Sequence, residues 1–394
     1  MTLTPRRTLL IVLAVWCAGL GAAAQFAKVS VMFDLLDLTY PGRGPGIGFM
    51  VSVAGLVGLV FGTTAGLLVQ SLGYRRVLVW AMALGALMSA LQATLPGFGV
   101  MMATRVVEGA SHLAIVVAGP VLIAQVTPLP RQGLAMTLWA SFFGVSYAVT
   151  AWAGLPLAER HGPAALFVAH AGMMAVLAAM LWLILPRDAA HLGQVPLTLA
   201  GVLRQHRTIY VSPFIAAPAM GFVFYTLIYV AVLTLLPPLL PEAQRVTAAS
   251  AMPLMSIAVS LTLGVVLLKR MQAYRSVQLG LGLTLLFSLG LWASWGTGLA
   301  LPAALAVASA LGLVQGASFA SIPQLNHSAA ARAMAAGAVA QMGNLGTTTG
   351  TPLLAWLLAQ FGLNGLVGFL ILFPALGIAV HQVQARRRAG FPDG

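Results

Sequence analysis

Arg105, Glu108 and His112 stand at i, i+3 and i+7 within a long apolar run. At about 100° per residue they fall within about 60° of one another, on one helical face. Arg and Glu three residues apart can pair directly. In low dielectric, a carboxylate held by a guanidinium takes a proton more readily once the guanidinium is drawn away. That is a physical route to proton coupling. The plainer reading is an ion pair that fixes this helix against its neighbours. His112 either relays a proton, since imidazole titrates near neutrality, or is a hydrogen-bonded packing residue. No second histidine at helical spacing completes a zinc site. The single cysteine, Cys17, excludes an intramolecular disulfide and a Cys-based metal cage.

Other side chains with binding chemistry are spread along the chain. Lys28, with Gln25 one turn before it, can hold an anionic group or extend to the membrane interface. Asp34 and Asp37 follow at the end of that run, where solvation is expected. Phe222, Tyr225 and Tyr229 share one face at i, i+3 and i+7, which suits an amphipathic organic substrate, or helix packing, or an interfacial aromatic belt. Gln315 with Ser318, and Gln341 with Asn344 and Thr348, are each on single faces. They line a cavity or bond between helices, the latter for only about 0.6 kcal/mol each.

The elements that carry these residues follow from composition. The 394 residues are 60% hydrophobic and 7% charged, against about 25% charged in soluble chains. So few charges cannot cover a water-soluble surface, and disorder requires the opposite balance. Twelve apolar blocks of spanning length lie at about 8–31, 46–69, 77–95, 98–123, 134–155, 163–185, 210–236, 251–268, 277–295, 301–322, 333–358 and 363–379. The longest polar stretch lies between blocks six and seven. The expected fold is an all-α membrane protein of twelve transmembrane helices in two six-helix halves. These are residues 1–185, a cytoplasmic central loop at 186–208, and 209–394.

The net charge of +13 comes as ones, twos and threes of basic residues between blocks. That pattern reads as topology rather than nucleic-acid binding, which needs a clustered basic surface. With the N-terminus inside, fifteen Lys and Arg fall in inside segments and three outside. Both termini are then cytoplasmic. Arg6-Arg7 followed by an apolar run and Ala22-Ala23-Ala24 imitates a cleavable signal peptide, but the even span count and paired halves argue against cleavage.

Weak self-similarity supports the halves. Gly73-Tyr74-Arg75 is echoed by Ala273-Tyr274-Arg275, Ala135-Met136 by Ala333-Met334, and Pro156 by Pro352, at offsets between 196 and 200. On these features the chain resembles the major facilitator superfamily. Gly66, Gly73, Arg75 and Arg76 stand in register with that family's motif between spans two and three, although Gln70 and Ser71 replace its usual Asp and Arg. Arg105 and Gly109 match its fourth-span motif. The glycine-proline motif of drug:proton antiporters is missing at Gly144–Ala148.

The resemblance implies spans one, four, seven and ten lining a central cavity, spans three, six, nine and twelve facing outward, and transport by alternating access. It also implies that Gly66, Gly73, Arg75 and Arg76 act at the inside gate, where otherwise they only set topology. No Gly-Lys-Ser/Thr phosphate loop occurs, so an ion or solute gradient must supply any energy. Two buried cations, Lys28 and Arg105, against the one acid, Glu108, favour import of a small organic anion with protons. The rival is export of amphipathic compounds by proton antiport, favoured by the aromatic face. No nucleophile–base set or metal cluster supports an enzyme, no cofactor is implied, and a monomer is expected. Arg outnumbers Lys 18 to 2, which suits the cytoplasmic membrane of a GC-rich bacterium. A C-terminal phosphatase fusion, active only outside the cell, should therefore stay silent; an active fusion would overturn the orientation.

Overall fold

The computed structural model describes residues 4–65, 69, 72–128, 131, 135, 138, 139, 141–186 and 199–390, and every regular element among them is a helix. Nine of these helices are long and apolar enough to cross a membrane. Numbering by expected span, α1 is Pro5–Val31, α3 Tyr74–Ala93, α4 Phe98–Val126, α6 Pro163–Ile184 and α7 Ala216–Leu235. Further on, α8 is Glu242–Leu268, α9 Ala273–Ala293, α10 Ala300–Leu325 and α12 Leu363–Ala389. The other three apolar blocks are helical as well where described. Block two holds the short helix α2, Gly48–Phe61. Block five holds α5, in which Phe142–Val149 passes through a wide π turn, Thr150–Gly154, into Leu155–His161. Block eleven is α11, Ala329–Phe361.

Local chemistry sets the helix ends. Pro5 opens α1 behind Thr4, whose side chain accepts the Arg7 amide at 3.4 Å. Ser328 caps α11 in the same way, accepting the Ala331 amide at 3.1 Å. Within 186–208, where a loop is expected, residues 199–208 form most of a linker helix, Leu199–Val211.

The chain divides into two compact units. Unit 1 comprises Met1–Pro41, Val53–Val57 and Thr64–Pro196; unit 2 comprises Gly42–Ser52, Gly58–Thr63 and Leu197–Gly394. Most of α2, which the sequence places in the first half, thus belongs by its packing to unit 2. In unit 1, α1 packs on α4, α5 and α6, and α3 packs on α4 and α6. Ile11, Val15, Ala18, Ala22, Met82, Ile115 and Met174 form the apolar core between them. Gly109 lets α4 touch the backbone at Val53–Gly55, because a Cβ there would strike the Ala54 carbonyl. In unit 2, α7 packs chiefly against α11, and α9 against α10 and α12.

Burial sorts the helices. Among the nine long apolar helices the most buried is α7, at 83% of its apolar stretch, followed by α1 at 67%, whereas α6 reaches only 28% and α8 22%. The large apolar side chains of Trp80, Leu87, Val176, Leu183, Trp292 and Leu372 are exposed on α3, α6, α9 and α12. In an aqueous protein this would be untenable. On a bilayer-embedded helix it is the lipid-facing surface.

Candidate functional site

Four helices of unit 1 converge on one carboxylate. Lys28 from α1 reaches Glu108 Oε1 with its Nζ at 2.6 Å, and both side chains are wholly buried. Arg105, also wholly buried, pairs with Oε2 of the same carboxylate one helical turn away. From α3, Gln92 donates its amide to Oε2 at 2.9 Å. Ser89, also on α3, accepts from Lys28 Nζ at 2.6 Å and lies 2.6 Å from His170 Nδ1 on α6.

The hydrogen-bond pattern fixes the protons. His170 Nε2 lies 3.0 Å from the Gly21 carbonyl, which can only accept, so Nε2 carries the hydrogen and Nδ1 offers its lone pair. The single Nδ1 lone pair is shared between two donors, Ser89 Oγ at 2.6 Å and Lys28 Nζ at 3.2 Å. The Lys28 ammonium thus has three acceptors within reach: Glu108, Ser89 and, through the shared lone pair, His170. The Phe167 ring covers the ammonium at 5.3 Å. Two cations and one carboxylate leave the cluster with one net positive charge, sealed from solvent. The remaining acids of the sequence lie in loops or at the ends of the apolar blocks.

A second polar layer is adjacent. Gln25 donates to Ser111 Oγ at 2.8 Å, and Ser111 donates to the Ala81 carbonyl at 2.7 Å. His112 gives its Nδ1 hydrogen to the Ala22 carbonyl at 3.0 Å and meets Phe26 edge-on at 4.9 Å. The structure therefore joins Lys28, Arg105 and Glu108 directly. It places Gln25 and His112 beside them without a hydrogen bond to Glu108.

Two sequence readings change. Lys28 does not extend to an interface; it is fully paired inside the unit. The spans expected to face outward, three and six, turn their lipid faces out, but their inner faces supply Ser89, Gln92 and His170. Those three residues carry a visible signal: a polar pair at i, i+3 in one apolar block and a lone histidine in another. His381 lies within α12, buried against Gly221 of α7.

The candidates of unit 2 form no comparable charged group. Tyr225 and Tyr229 are buried and stacked at 5.0 Å, with Phe222 stacked on Tyr225 at 5.3 Å. The Tyr225 hydroxyl is buried without a hydrogen-bond partner. Gln315 is half-buried on α10. Asn344 bonds back to the Ala340 carbonyl at 2.8 Å. Gln341 is the centre of a network: it accepts from Tyr210 at 2.7 Å, donates to the Leu59 carbonyl at 2.8 Å, and meets His206 at 3.0 Å.

Of the expected gate residues, Gly66 lies outside the described residues. Gly73 precedes α3 at φ 90°, a conformation that favours glycine. Arg75 donates to the Trp182 carbonyl at 2.6 Å and stacks on that indole at 4.2 Å. The sequence explains this bond. The amide that would bond Trp182 within α6 belongs to Pro186, which has no hydrogen to give. Arg76 is exposed.

Long apolar helices around a sealed, charged polar cluster define a polytopic membrane protein that keeps ionised groups inside the bilayer. Residues 11–346 match the model of the Major Facilitator Superfamily, and the chain belongs to that family. It is thus a secondary transporter of small solutes. No curated protein matches the chain.

Charge counting ranks two variants. Glu108→Gln leaves two buried cations facing a neutral amide, and breaking a buried pair this way costs about 3–5 kcal/mol. Lys28→Met leaves a balanced Arg105–Glu108 pair and loses mainly hydrogen bonds to charge, about 1.5–3 kcal/mol. Melting temperatures in detergent should therefore fall in the order wild type, Lys28→Met, Glu108→Gln. The reverse order would mean that Glu108 is not the centre of the cluster.

Proposed function

We propose that this chain imports a small organic anion together with a proton, and that Glu108 is the proton-carrying group. The observation behind this is one buried carboxylate shared by two cations, with a single positive charge left over. Protonating Glu108 alone would raise the buried charge from one to two. An arriving anion restores it to one, and takes over the partners that the carboxylate released. Proton and anion therefore favour each other's binding, which is the thermodynamic requirement of symport. Arg105 sets how tightly Glu108 is held. His112, one turn further along the same face, is the next titratable group on the proton's route.

Lys28, Arg105 and Gln25 are the proposed substrate contacts of unit 1. Tyr225, Tyr229, Gln315, Gln341 and Asn344 are those of unit 2. Tyr225 brings an unbonded hydroxyl to this role, whereas Gln341 would first have to leave its present partners. Alternating access through the two halves moves the solute, with Gly66, Gly73, Arg75 and Arg76 at the inside gate. The protein acts as a monomer in a bacterial cytoplasmic membrane with both termini inside. A second reading, export of amphipathic compounds by proton antiport, is favoured by the Phe222–Tyr225–Tyr229 stack.

Two measurements on reconstituted vesicles test these assignments. Glu108→Gln should abolish uphill accumulation driven by a pH difference while sparing solute exchange, which also reports a folded protein. Accumulation that persists under a pH difference alone removes Glu108 from coupling and makes the cluster structural. Arg75→Ala frees the Trp182 carbonyl and should slow turnover with little change in substrate affinity. Unchanged turnover would reduce Arg75 to a topology signal.

A further inference from the structure

A cavity of about 630 Å³ opens at one end of unit 2, where α9 begins and α10 and α12 end. Its wall includes Tyr274, Arg275, Gln324, His327 and Arg388. Gln324 ties the site together by accepting the Ala273 amide at 2.8 Å. Both arginines gather at one phenol ring. The Arg275 guanidinium lies 5.9 Å from the Tyr274 ring and donates from Nε to its hydroxyl at 3.3 Å. The Arg388 guanidinium lies 5.2 Å from the same ring. One Nη of Arg388 is bonded to the Pro213 carbonyl at 3.1 Å; the other is shut off from solvent and has no partner. Among the described residues, no carboxylate forms an ion pair with either arginine.

The internal repeat supplies a control within the molecule. Arg75 and Arg275 stand 200 positions apart, each near the start of its helix after a tyrosine. Arg75 is spent on the Trp182 carbonyl and its ring. Arg275 bonds only to the hydroxyl of its chain neighbour Tyr274; it is exposed and lines an open cavity. The same register is a closed contact in unit 1 and the wall of a cationic cavity in unit 2. Two guanidiniums on one cavity wall match the forked geometry of phosphate oxygens. The ends of spanning helices lie at headgroup depth, where anionic lipids present that group.

We propose that this cavity is a phosphate-binding site, with Arg275 and Arg388 as its charged donors, and that the headgroup of an anionic phospholipid fills it. The test uses thermal shifts of the purified full chain in detergent, with dihexanoyl phosphatidylglycerol, dihexanoyl phosphatidylcholine and sodium phosphate as probes. Phosphatidylglycerol should raise the melting point saturably and phosphatidylcholine should not. Combined Arg275→Gln and Arg388→Gln should weaken the half-saturating concentration by about tenfold or more, as expected for losing charge-assisted hydrogen bonds. Combined Lys269→Gln and Arg270→Gln removes the same charge just outside the cavity and should leave it nearly unchanged. Equal stabilisation by phosphatidylcholine, or equal losses in both double variants, overturns the site. If sodium phosphate alone gives the full, Arg-dependent shift, the phosphate site stands and the lipid assignment falls. Should the double variant fail to fold, Arg275→Gln alone, at an exposed position, gives the same readout.

Discussion

One carboxylate has to satisfy two ammonium-type cations where no water can help. A lone ionised side chain inside a bilayer costs several kcal/mol, so every hydrogen on Lys28 and both oxygens of Glu108 must find partners. Much of unit 1 follows from that demand. The approach of α1 to α3 and α6 brings Lys28 within reach of Ser89 and His170. The Gly21 carbonyl holds the His170 ring in the tautomer that accepts rather than donates. Gly109, directly after Glu108, lets α4 press against backbone and so fixes the height at which the carboxylate sits. Buried ion pairs seldom add stability over apolar packing, so a cluster this complete argues for use rather than for strength.

The two units solve their polar problems differently. In unit 1, charge is concentrated and fully bonded. In unit 2, neutral amides, hydroxyls and stacked rings occupy the interior, and some of their polar atoms remain unbonded, among them the Tyr225 hydroxyl and both ring nitrogens of His381. A repeat that diverged in this way keeps its helix register while dividing its chemistry. One half retains the ionised groups, and the other offers uncommitted polar groups and aromatic surface. The contrast between Arg75 and Arg275 shows the same divergence at the helix ends.

The family and the helical architecture were legible from the sequence because they rest on simple periodic constraints: block length, charge poverty and two short motifs. The pairing of Arg105 with Glu108 was legible too, being local at i, i+3. What the sequence could not show was which residues from other helices complete the shell. Ser89, Gln92 and His170 are 16 to 62 positions from Glu108, and their convergence depends on how four helices rotate about their axes. Lys28 was recognised as important but its partner was not, because an ammonium on a long stem can reach in several directions. The π turn in α5 was likewise invisible, since an extra residue in one turn leaves composition unchanged.

The single residual charge of the Lys28–Glu108–Arg105 cluster bears on energetics of another kind. Carrying one elementary charge through the membrane field exchanges about 2.3 kcal/mol per 100 mV with the cell's electrical potential. In the symport reading, the empty cluster and the cluster loaded with one proton and one anion carry the same charge. Loading then exchanges no net electrical work with the membrane. A transporter built this way would draw on the chemical part of the proton gradient alone, and the solute gradient it sustains would be the same in polarised and depolarised cells.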